Sequence, residues 1–310
     1  MTRLKIALIT PGFSADEGDW CIPALLNMVR VLAREHEVHV FTLRYPHRRA
    51  VYAVYGATVY SFGGAEVAGV RRIPLLVRAL WGIMREGRHS RFDIIHGLWA
   101  DEPGLLAVLA GRLLGVPALV SLLGGELEQM AEINYGHQLS RAGRRMIAFS
   151  LQRAACVTVG SRHLLQRALA YVQPERLVEM PLGVATTCFY PGPSTEATPL
   201  QGEIKLLHVA SLVPVKDQAV LLRALAGVIV KQPGVHLHIV GSGPLRVELE
   251  RLATDLGVAA RVTFHGEVGH ERLPGYYRAA DLFVLSSRYE SQGMVALEAA
   301  ACGLPIIGTE

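Results

Sequence analysis

The sequence has little cysteine and little lysine. Its four cysteines, at positions 21, 156, 188 and 302, include no Cys-x-x-Cys pair. This pattern excludes the usual zinc and disulfide signatures and is typical of a reducing compartment. Lysine occurs only at positions 5, 205, 216 and 231, so 27 of the 31 basic residues are arginines.

Long hydrophobic runs are also absent. No stretch reaches the roughly 18 apolar residues of a membrane-spanning helix, and the apolar run near the N-terminus is too short for a signal peptide. The formal net charge of +4 is modest, and we expect no nucleic-acid partner. These features predict a cytoplasmic protein.

What the sequence does contain is enough apolar material for two cores. Hydrophobic residues make up 51% of the chain and charged residues only 19%, which excludes a disordered protein. Short strands that are apolar throughout alternate with helical segments, the pattern of parallel sheets covered on both faces. Because 310 residues exceed what one core uses, we predict two doubly wound, Rossmann-like α/β domains that face a ligand-binding cleft.

A polar stretch with several prolines interrupts this alternation and predicts a linker. The expected organisation is an N-terminal domain at 1–190, a linker at 191–203 and a C-terminal domain at 204–310. The sequence ends directly after a predicted strand that has no covering helix. We therefore expect the second domain to be incomplete, as in a C-terminally truncated chain.

Two glutamates eight residues apart, Glu290 and Glu298, are the most informative feature. Glu290 is predicted to lie in a strand-to-helix loop, and Glu298 about one turn into the helix that begins near Gly293. The free amides of that helix start lie between them and suit an anionic phosphate. A carboxylate beside a phosphate is costly unless it accepts protons from neutral hydroxyl groups. The pattern suits a ligand that is anionic in the middle and hydroxyl-rich at both ends, such as a nucleotide-sugar.

Two turns of the second domain follow predicted strands. Lys216 precedes a helix that Asp217 is placed to cap, and its charge could hold a diphosphate, although an exposed loop lysine is the simpler interpretation. The segment 239–246, Ile-Val-Gly-Ser-Gly-Pro-Leu-Arg, imitates a dinucleotide fingerprint but has Arg246 in place of the third glycine. We interpret it as a tight strand-to-helix turn, which disfavours NAD binding.

The first domain offers weaker candidates for contact with a sugar or an acceptor. Each of them lies at the end of a predicted strand or in the loop after it, and so should lie at the carboxyl edge of the sheet. These acceptor-side candidates are Gly18, Asp19, His96 and Glu126. A structural histidine and a mobile acidic loop are the simpler interpretations.

A basic amphipathic pattern runs through residues 71–88. It favours a helix that packs on the sheet with its arginines in water. The sharper alternative is a peripheral contact with anionic lipid on the inner face of a membrane.

Four motifs, in order from about Lys205 to Glu310, resemble the retaining glycosyltransferases of family 4, which have the two-domain GT-B fold. They are Leu-Leu-His-Val-Ala-Ser-Leu-Val-Pro-Val-Lys-Asp, Ile-Val-Gly-Ser-Gly-Pro-Leu-Arg, Val-Thr-Phe-His-Gly-Glu-Val and the E-x7-E signature from Glu290 to Glu298. The first half is less similar, with Pro-Leu-Gly-Val-Ala-Thr-Thr-Cys-Phe-Tyr-Pro before the linker as its clearest match.

The resemblance implies transfer of a sugar, with retention, from a UDP-, GDP- or ADP-linked donor to an unknown glycan, lipid or small-molecule acceptor. It implies catalytic roles for Lys216, on the diphosphate, and for Glu290, on the donor-sugar hydroxyls. The implied donor-binding residues are Glu298 on the ribose, the backbone of Gly293, Met294 and Val295, then Ser211, and finally His265, Gly266 and Val268 beside the base. No metal and no other cofactor is expected.

Three departures from the family pattern keep other functions open. Ser211 stands where the family often has an arginine, Leu123 appears where it often has a histidine, and the family chain continues through further helices. A GT-B sugar-nucleotide epimerase or hydrolase shares the same features. A non-catalytic domain that binds a nucleotide-sugar is the third alternative.

Overall fold

A computed structural model describes residues 2–64, 72–193 and 198–309 of the chain. The chain divides into two units, Met1–Gly183 and Val184–Glu310. Each unit is built on one sheet with parallel strands and helices between them, which confirms the predicted α/β class. None of the helices in the described ranges is long and apolar enough to cross a membrane.

The strands of the first unit are separated along the chain by helices, apart from three consecutive strands near its N-terminal end. Its strands are β1 (Lys5–Gly12), β2 (Glu37–Tyr45), β3 (Arg49–Val54), β4 (Ala57–Phe62), β5 (Ile94–Leu98), β6 (Ala118–Leu122), β7 (Cys156–Val159) and β8 (Leu177–Glu179). Its helices are α1 (Pro23–Glu35), α2 (Ile73–Ser90), α3 (Glu102–Leu114), α4 (Arg141–Arg153) and α5 (Arg162–Ala168). The sheet order is β3-β4-β2-β1-β5-β6-β7-β8, and all pairs are parallel except β3 with β4.

Successive residues of β1 enter two cores on opposite faces of this sheet. Ile6 and Leu8 belong to the core that α1 covers, whereas Ala7 and Ile9 belong to the core that α2 and α3 cover. Because both faces are buried, the strand is apolar throughout rather than alternating.

The β3–β4 hairpin was not among the strands predicted from the sequence. It turns at Tyr55 and Gly56, whose φ angles of +46° and +81° are those of a tight hairpin turn. Tyr-Gly lacks the Asn-Gly or Asp-Gly signal that usually marks such a turn. The hairpin adds an antiparallel edge to an otherwise parallel sheet.

The second unit repeats the alternation on a smaller scale. Its strands are β9 (Ile204–Val209), β10 (Val235–Val240), β11 (Val262–Gly266), β12 (Leu282–Leu285) and β13 (Ile306–Gly308). Its helices are α6 (Gln218–Lys231), α7 (Arg246–Asp255), α8 (Leu273–Ala279) and α9 (Met294–Ala301). The strands are parallel in the order β11-β10-β9-β12-β13.

The division between the units falls seven residues before the end of the N-terminal domain that the sequence predicts, at Gly183 rather than residue 190. Phe189 explains the difference because its side chain is buried in the second core. Its ring meets those of His270 and Tyr277 edge-on, at 5.1 and 5.9 Å between centroids. The segment before the linker therefore packs with the domain that follows it.

The connection between β10 and α7 is the tight turn that the sequence predicts. Gly241 has a φ of +134°, and a Cβ placed on it would lie 2.0 Å from the carbonyl oxygen of Ala210. A Cβ placed on Gly243 would lie 2.5 Å from the carbonyl oxygen of Leu212. The two glycines thus let the turn lie directly against the chain that follows β9.

We expect Gly241→Ala to lower the free energy of unfolding by about 2–4 kcal/mol, because the added methyl group meets backbone and the φ angle disfavours alanine. Gly227→Ala is the matched control, since Gly227 is exposed in α6 and nothing lies within 4 Å of an added Cβ. That substitution should raise stability by about 0.5–1 kcal/mol through helix propensity. Urea unfolding followed by circular dichroism measures both, and wild-type stability of Gly241→Ala would contradict the geometry.

Candidate functional site

The candidate site of the second unit lies where two neighbouring strands separate. β9 and β12 pair only at Leu206 with Leu282 and at Leu207 with Phe283. The chain places β10 and β11 on one side of β9, and β12 and β13 on the other. Ligands of doubly wound proteins bind outside the carboxyl ends of the strands at such a point of reversal.

The His208 side chain bridges the opening between β9 and β12. Its Nδ1 donates to the carbonyl oxygen of Val284, 2.8 Å away, across the opening between β9 and β12. Gln218 Nε2 lies 3.3 Å from the other ring nitrogen and donates to the carbonyl oxygen of Ser211 at 3.0 Å. Burial lowers the pKa of His208 to about 4, so the ring is neutral and serves as a structural link.

Lys216 and Glu290, which follow β9 and β12 along the chain, meet beyond the carboxyl ends of these strands. Lys216 ends the short 3₁₀ turn Pro214–Lys216, and its Nζ lies 2.5 Å from Glu290 Oε1. Ser287 Oγ donates to the same oxygen at 2.7 Å. Both charged side chains are 23% exposed, and Glu290 Oε2 has no hydrogen-bond partner among the described residues. The site therefore holds a cation and a carboxylate oxygen that solvent can reach.

The loop that follows β9 and the loop that follows β12 make several further contacts that fix this pair. The amide of Arg288 donates to the carbonyl oxygen of Val215, and Ser286 Oγ donates to that of Lys216, both at 2.8 Å. Arg288 Nε lies 2.7 Å from Asp217 Oδ2. Asp217 does stand at the start of α6, but it makes no capping bond because its carboxylate faces Arg288 and its φ is +44°.

The amino end of α9 begins beside Glu290. A Cβ placed on Gly293, whose φ is +70°, would lie 3.9 Å from the side chain of Glu290. The carbonyl oxygen of Gly293 accepts from the amides of Ala296 and Leu297. The amides of the first helical turn, at Met294 and Val295, have no intrahelical acceptor. They form the amide-lined helix start that the sequence predicts.

Glu298 points into the second unit rather than to its surface. Its Oε2 accepts from the Tyr277 hydroxyl at 3.0 Å, and its Oε1 lies 3.1 Å from His270 Nε2. Only 9% of the Glu298 side chain is exposed. Burial and this carboxylate raise the pKa of Tyr277 well above its usual value. A pair of hydrogen-bond donors thus fixes the orientation of the carboxylate.

The remaining predicted donor-side residues also belong to the second unit. His265 Nε2 is 3.0 Å from His238 Nδ1, and burial lowers the pKa of His265 to about 4. Gly266 ends β11 with a φ of +74°, and Val268 is partly buried against the core. Ser211 is exposed. Their roles at a nucleotide remain predictions.

In the first unit, His96 and Glu126 are internal. His96 Nε2 lies 2.7 Å from Ser121 Oγ, and burial lowers the pKa of this histidine to about 4. Glu126 is fully buried and accepts from the amides of Leu123, Gly124 and Ala100. The His96 side chain therefore links β5 to β6, and the Glu126 side chain joins the loops that follow these strands. Contact with an acceptor stays a prediction for each.

Gly18 and Asp19 lie in the loop that follows β1. The Gly18 amide donates to Asp16 Oδ1 at 2.9 Å, and Asp19 Oδ2 accepts from the Ala15 amide at 2.6 Å. These short-range bonds give the loop a defined shape. Its acceptor-side role also stays a prediction.

Sequence reasoning missed four residues that complete the donor-side arrangement: Ser287, Arg288, His270 and Tyr277. Ser287 and Arg288 stand three and two residues before Glu290, just upstream of the signature, so their neighbourhood could have drawn attention to them. His270 and Tyr277 reach Glu298 only through the fold. Within the described ranges, no group of three or more His, Cys, Asp or Glu side chains is arranged to hold a metal ion.

Two family models cover most of the chain. Residues 22–183 match the glycosyl transferase 4-like domain, and residues 195–310 match glycosyl transferases group 1. These matches include both glutamates of the signature and Lys216.

Curated relatives carry related names. The D-inositol 3-phosphate glycosyltransferase of Rhodococcus erythropolis is 31% identical over 332 residues, which cover 98% of this chain and 73% of the relative. The GDP-mannose-dependent alpha-(1-6)-phosphatidylinositol monomannoside mannosyltransferase of Mycolicibacterium smegmatis is 32% identical over 215 residues, 62% of this chain and 56% of the relative.

Solved structures share the fold at lower identity. Sucrose-phosphate synthase from Thermosynechococcus elongatus aligns with a TM-score of 0.74 and 21% identity, over 99% of this chain and 81% of its own. HepE from Anabaena, in complex with UDP and glucose, aligns with a TM-score of 0.70 and 17% identity, over 99% of this chain and 80% of its own. The chain therefore belongs to glycosyltransferase family 4 and is a glycosyltransferase with the GT-B fold.

Proposed function

We propose that this glycosyltransferase moves a sugar from a nucleotide-sugar donor to a hydroxyl group of its acceptor, with retention at the anomeric carbon. The pairing of Lys216 with Glu290 beside the start of α9 carries the proposal. It combines a cation, free amides and a carboxylate in one place. A diphosphate needs the first two, and a sugar needs the third.

The diphosphate is the leaving group, and its negative charge grows as the bond to the sugar breaks. Lys216 and the amides of Met294 and Val295 stabilise that charge in the transition state more than in the ground state. In this proposal they do what a metal ion does in other transferases, so no metal cofactor is required. Ser211 lies on the same side, at the end of the strand that precedes Lys216.

The two glutamates hold the two polyol ends of the donor. Glu290 Oε2 accepts from the hydroxyls of the transferred sugar, while Oε1 stays with Lys216 and Ser287. A carboxylate has about four acceptor positions, so Glu298 accepts from the ribose hydroxyls in addition to Tyr277 and His270. The segment with His265, Gly266 and Val268 lies beside the nucleotide base.

The acceptor class is proposed from the relatives. Those cited above are named for inositol 3-phosphate and for a phosphatidylinositol mannoside, both of which contain a cyclic polyol. We therefore propose that the acceptor hydroxyl belongs to a phosphorylated or lipid-linked polyol of the inositol type.

A donor panel tests the function directly. Thermal shifts with UDP-, GDP- and ADP-linked sugars should single out one nucleotide, because a ligand that binds only the folded protein stabilises it. With that donor and D-inositol 3-phosphate, we expect a glycosylated product whose anomeric coupling in proton NMR matches that of the donor. Release of free sugar alone would support a hydrolase, and an inverted product would contradict retention.

We expect Lys216→Ala to lower kcat by about 10²–10³-fold, the loss typical of one preorganised group that stabilises developing charge. Glu290→Gln should also lower kcat, because it removes the negative charge and replaces one of the two acceptor oxygens with an NH2 donor. Lys231→Ala, at the exposed end of α6, is the matched control and should keep the wild-type rate. Steady-state kinetics on variants with unchanged melting temperatures decide the matter; wild-type kcat for Lys216→Ala would refute the role.

We also propose that α2 lies against an anionic membrane surface. Ile73, Val77 and Trp81 form an apolar stripe at four-residue spacing, and each is more than half exposed. Arg85 lies over the Trp81 ring at 5.7 Å, and Glu86, the acid of this helix, bonds to Ser90. The exposed face is therefore apolar and basic, which suits lipid headgroups. Arg71, part of the predicted pattern, lies outside the described residues.

Vesicle sedimentation tests this contact. We expect binding to phosphatidylglycerol vesicles, weakened about tenfold by Trp81→Ser because the indole no longer enters the interface. Arg85→Ser should weaken binding to phosphatidylglycerol but not to phosphatidylcholine. Val247→Ser removes an equally exposed apolar side chain of α7 and should bind as wild type. Unchanged vesicle binding of Trp81→Ser would show that the apolar stripe of α2 is not the membrane contact.

A further inference from the structure

The carboxylate of Glu298 lies almost entirely inside the second unit. Only 9% of its side chain is exposed, and no lysine or arginine of the described residues lies within ion-pair distance of it. Its two partners are the phenol of Tyr277 and the imidazole of His270. A buried charge is costly unless hydrogen-bond donors compensate it. Because a carboxylate has about four acceptor positions, this one can take further donors from a ligand at its exposed edge.

The two donors come from one helical stretch of the chain. His270 begins the 3₁₀ turn His270–Arg272, and α8 follows it directly. Tyr277 stands seven residues after His270, which places both side chains on the same side of this stretch. The Tyr277 hydroxyl donates to Oε2 of Glu298 at 3.0 Å, and His270 Nε2 lies 3.1 Å from Oε1. With one donor on each oxygen, the carboxylate is held against rotation about its last bond.

The protons of this arrangement are fixed as well. A carboxylate can only accept, so the His270 proton that faces it lies on Nε2. Burial, followed by the Glu298 charge, raises the pKa of Tyr277 well above its usual value. The phenol therefore keeps its proton and remains a donor at any physiological pH.

Phe189 packs against both donors. Its side chain is 1% exposed, and its ring meets those of His270 and Tyr277 edge-on, at 5.1 and 5.9 Å between centroids. The amide of Phe189 donates to the carbonyl oxygen of Ala185 at 2.9 Å, which closes a turn just before the linker. Edge-to-face contacts fix the orientation of aromatic rings. The segment that joins the two sheets along the chain thus supports both rings that face Glu298.

We infer that Tyr277, His270 and Phe189 set the affinity of this protein for the ribose of its donor. Tyr277 and His270 are positioning residues, because they hold Glu298 so that its remaining acceptor positions face the ribose hydroxyls. Phe189 is a positioning residue one step further away and acts through the two rings. The inference rests on the proposed function and specifies its donor side.

Calorimetric titration separates positioning from general stability. The probes are the nucleoside diphosphate of the donor that the panel selects and its 2′,3′-dideoxy counterpart, which lacks both ribose hydroxyls. We expect the wild type to bind the first at least about tenfold more tightly, as for hydrogen bonds to a charged group. Tyr277→Phe should weaken binding of the first about tenfold and binding of the second less than about twofold.

His270 allows a test by rescue. His270→Leu removes the donor and should weaken binding of the ribonucleotide as Tyr277→Phe does. His270→Gln places an amide N–H near the position of Nε2 and should restore the affinity to within about threefold of wild type. An equal loss of affinity in both variants would show that the hydrogen bond to Glu298 has no part in the effect and would overturn the role of His270.

Phe189→Leu keeps both hydrogen-bond donors but removes the edge contacts with their rings. We expect it to raise the donor KM about threefold, with kcat and the acceptor KM within about twofold of wild type. Phe41→Leu is the matched control, since Phe41 is equally buried in the first unit and also packs on aromatic rings. It should lower the melting temperature but leave the donor KM unchanged. An equal rise of the donor KM in Phe41→Leu overturns the role of Phe189.

Two results of the titration overturn the inference as a whole, even where sugar transfer is observed. One is equal affinity of the wild type for the two nucleotides. The other is an equal loss of both affinities in Tyr277→Phe. Absence of transfer from every donor contradicts the proposed function instead.

Discussion

The separation of β9 from β12, and the contacts that span it, determine where Lys216 and Glu290 lie in the second unit. Two parallel strands that stop pairing leave backbone polar groups without a partner in the sheet. The His208 side chain supplies one by bonding to the carbonyl oxygen of Val284 across the opening. Above it, the loops are joined by backbone bonds and by Lys216 with Glu290. The cation and the carboxylate are therefore held in place by the fold before any ligand arrives, which is the preorganisation that electrostatic catalysis requires.

Both units hold a buried carboxylate in place with several donors. In the first unit Glu126 gathers three amides of the loops that follow β5 and β6. In the second, Glu298 is fixed by Tyr277 and His270, whereas Glu290 is more open to solvent. Burial and the number of donors thus set how open each carboxylate is to a substrate, and Glu290 is the more open of the two in the second unit.

Much of this architecture follows from local pattern. The apolar runs at 118–122, 235–240 and 282–285 predict strands with these bounds, and β6, β10 and β12 have them, because apolar runs between turn residues are unambiguous. The β3–β4 hairpin was not predicted, because its Tyr-Gly turn lacks the sequence signal that usually marks a hairpin. The motifs placed Lys216 and Glu290 correctly beside a helix start, but their direct contact joins residues 74 positions apart. The inward direction of Glu126 and the meeting of Tyr277 and His270 with Glu298 depend on such long-range contacts, which spacing along the sequence does not encode.

The central claim is that one locus at the carboxyl ends of β9 and β12 binds both the charged bridge and the sugar of the donor. A crystal structure of the chain with the nucleotide-sugar that stabilises it most tests this claim directly. The account predicts a phosphate oxygen at about 3 Å from Lys216 Nζ and from the amides at the start of α9, with a sugar hydroxyl at similar distance from Glu290. A diphosphate bound away from Lys216, with Glu290 facing no hydroxyl group, would contradict it.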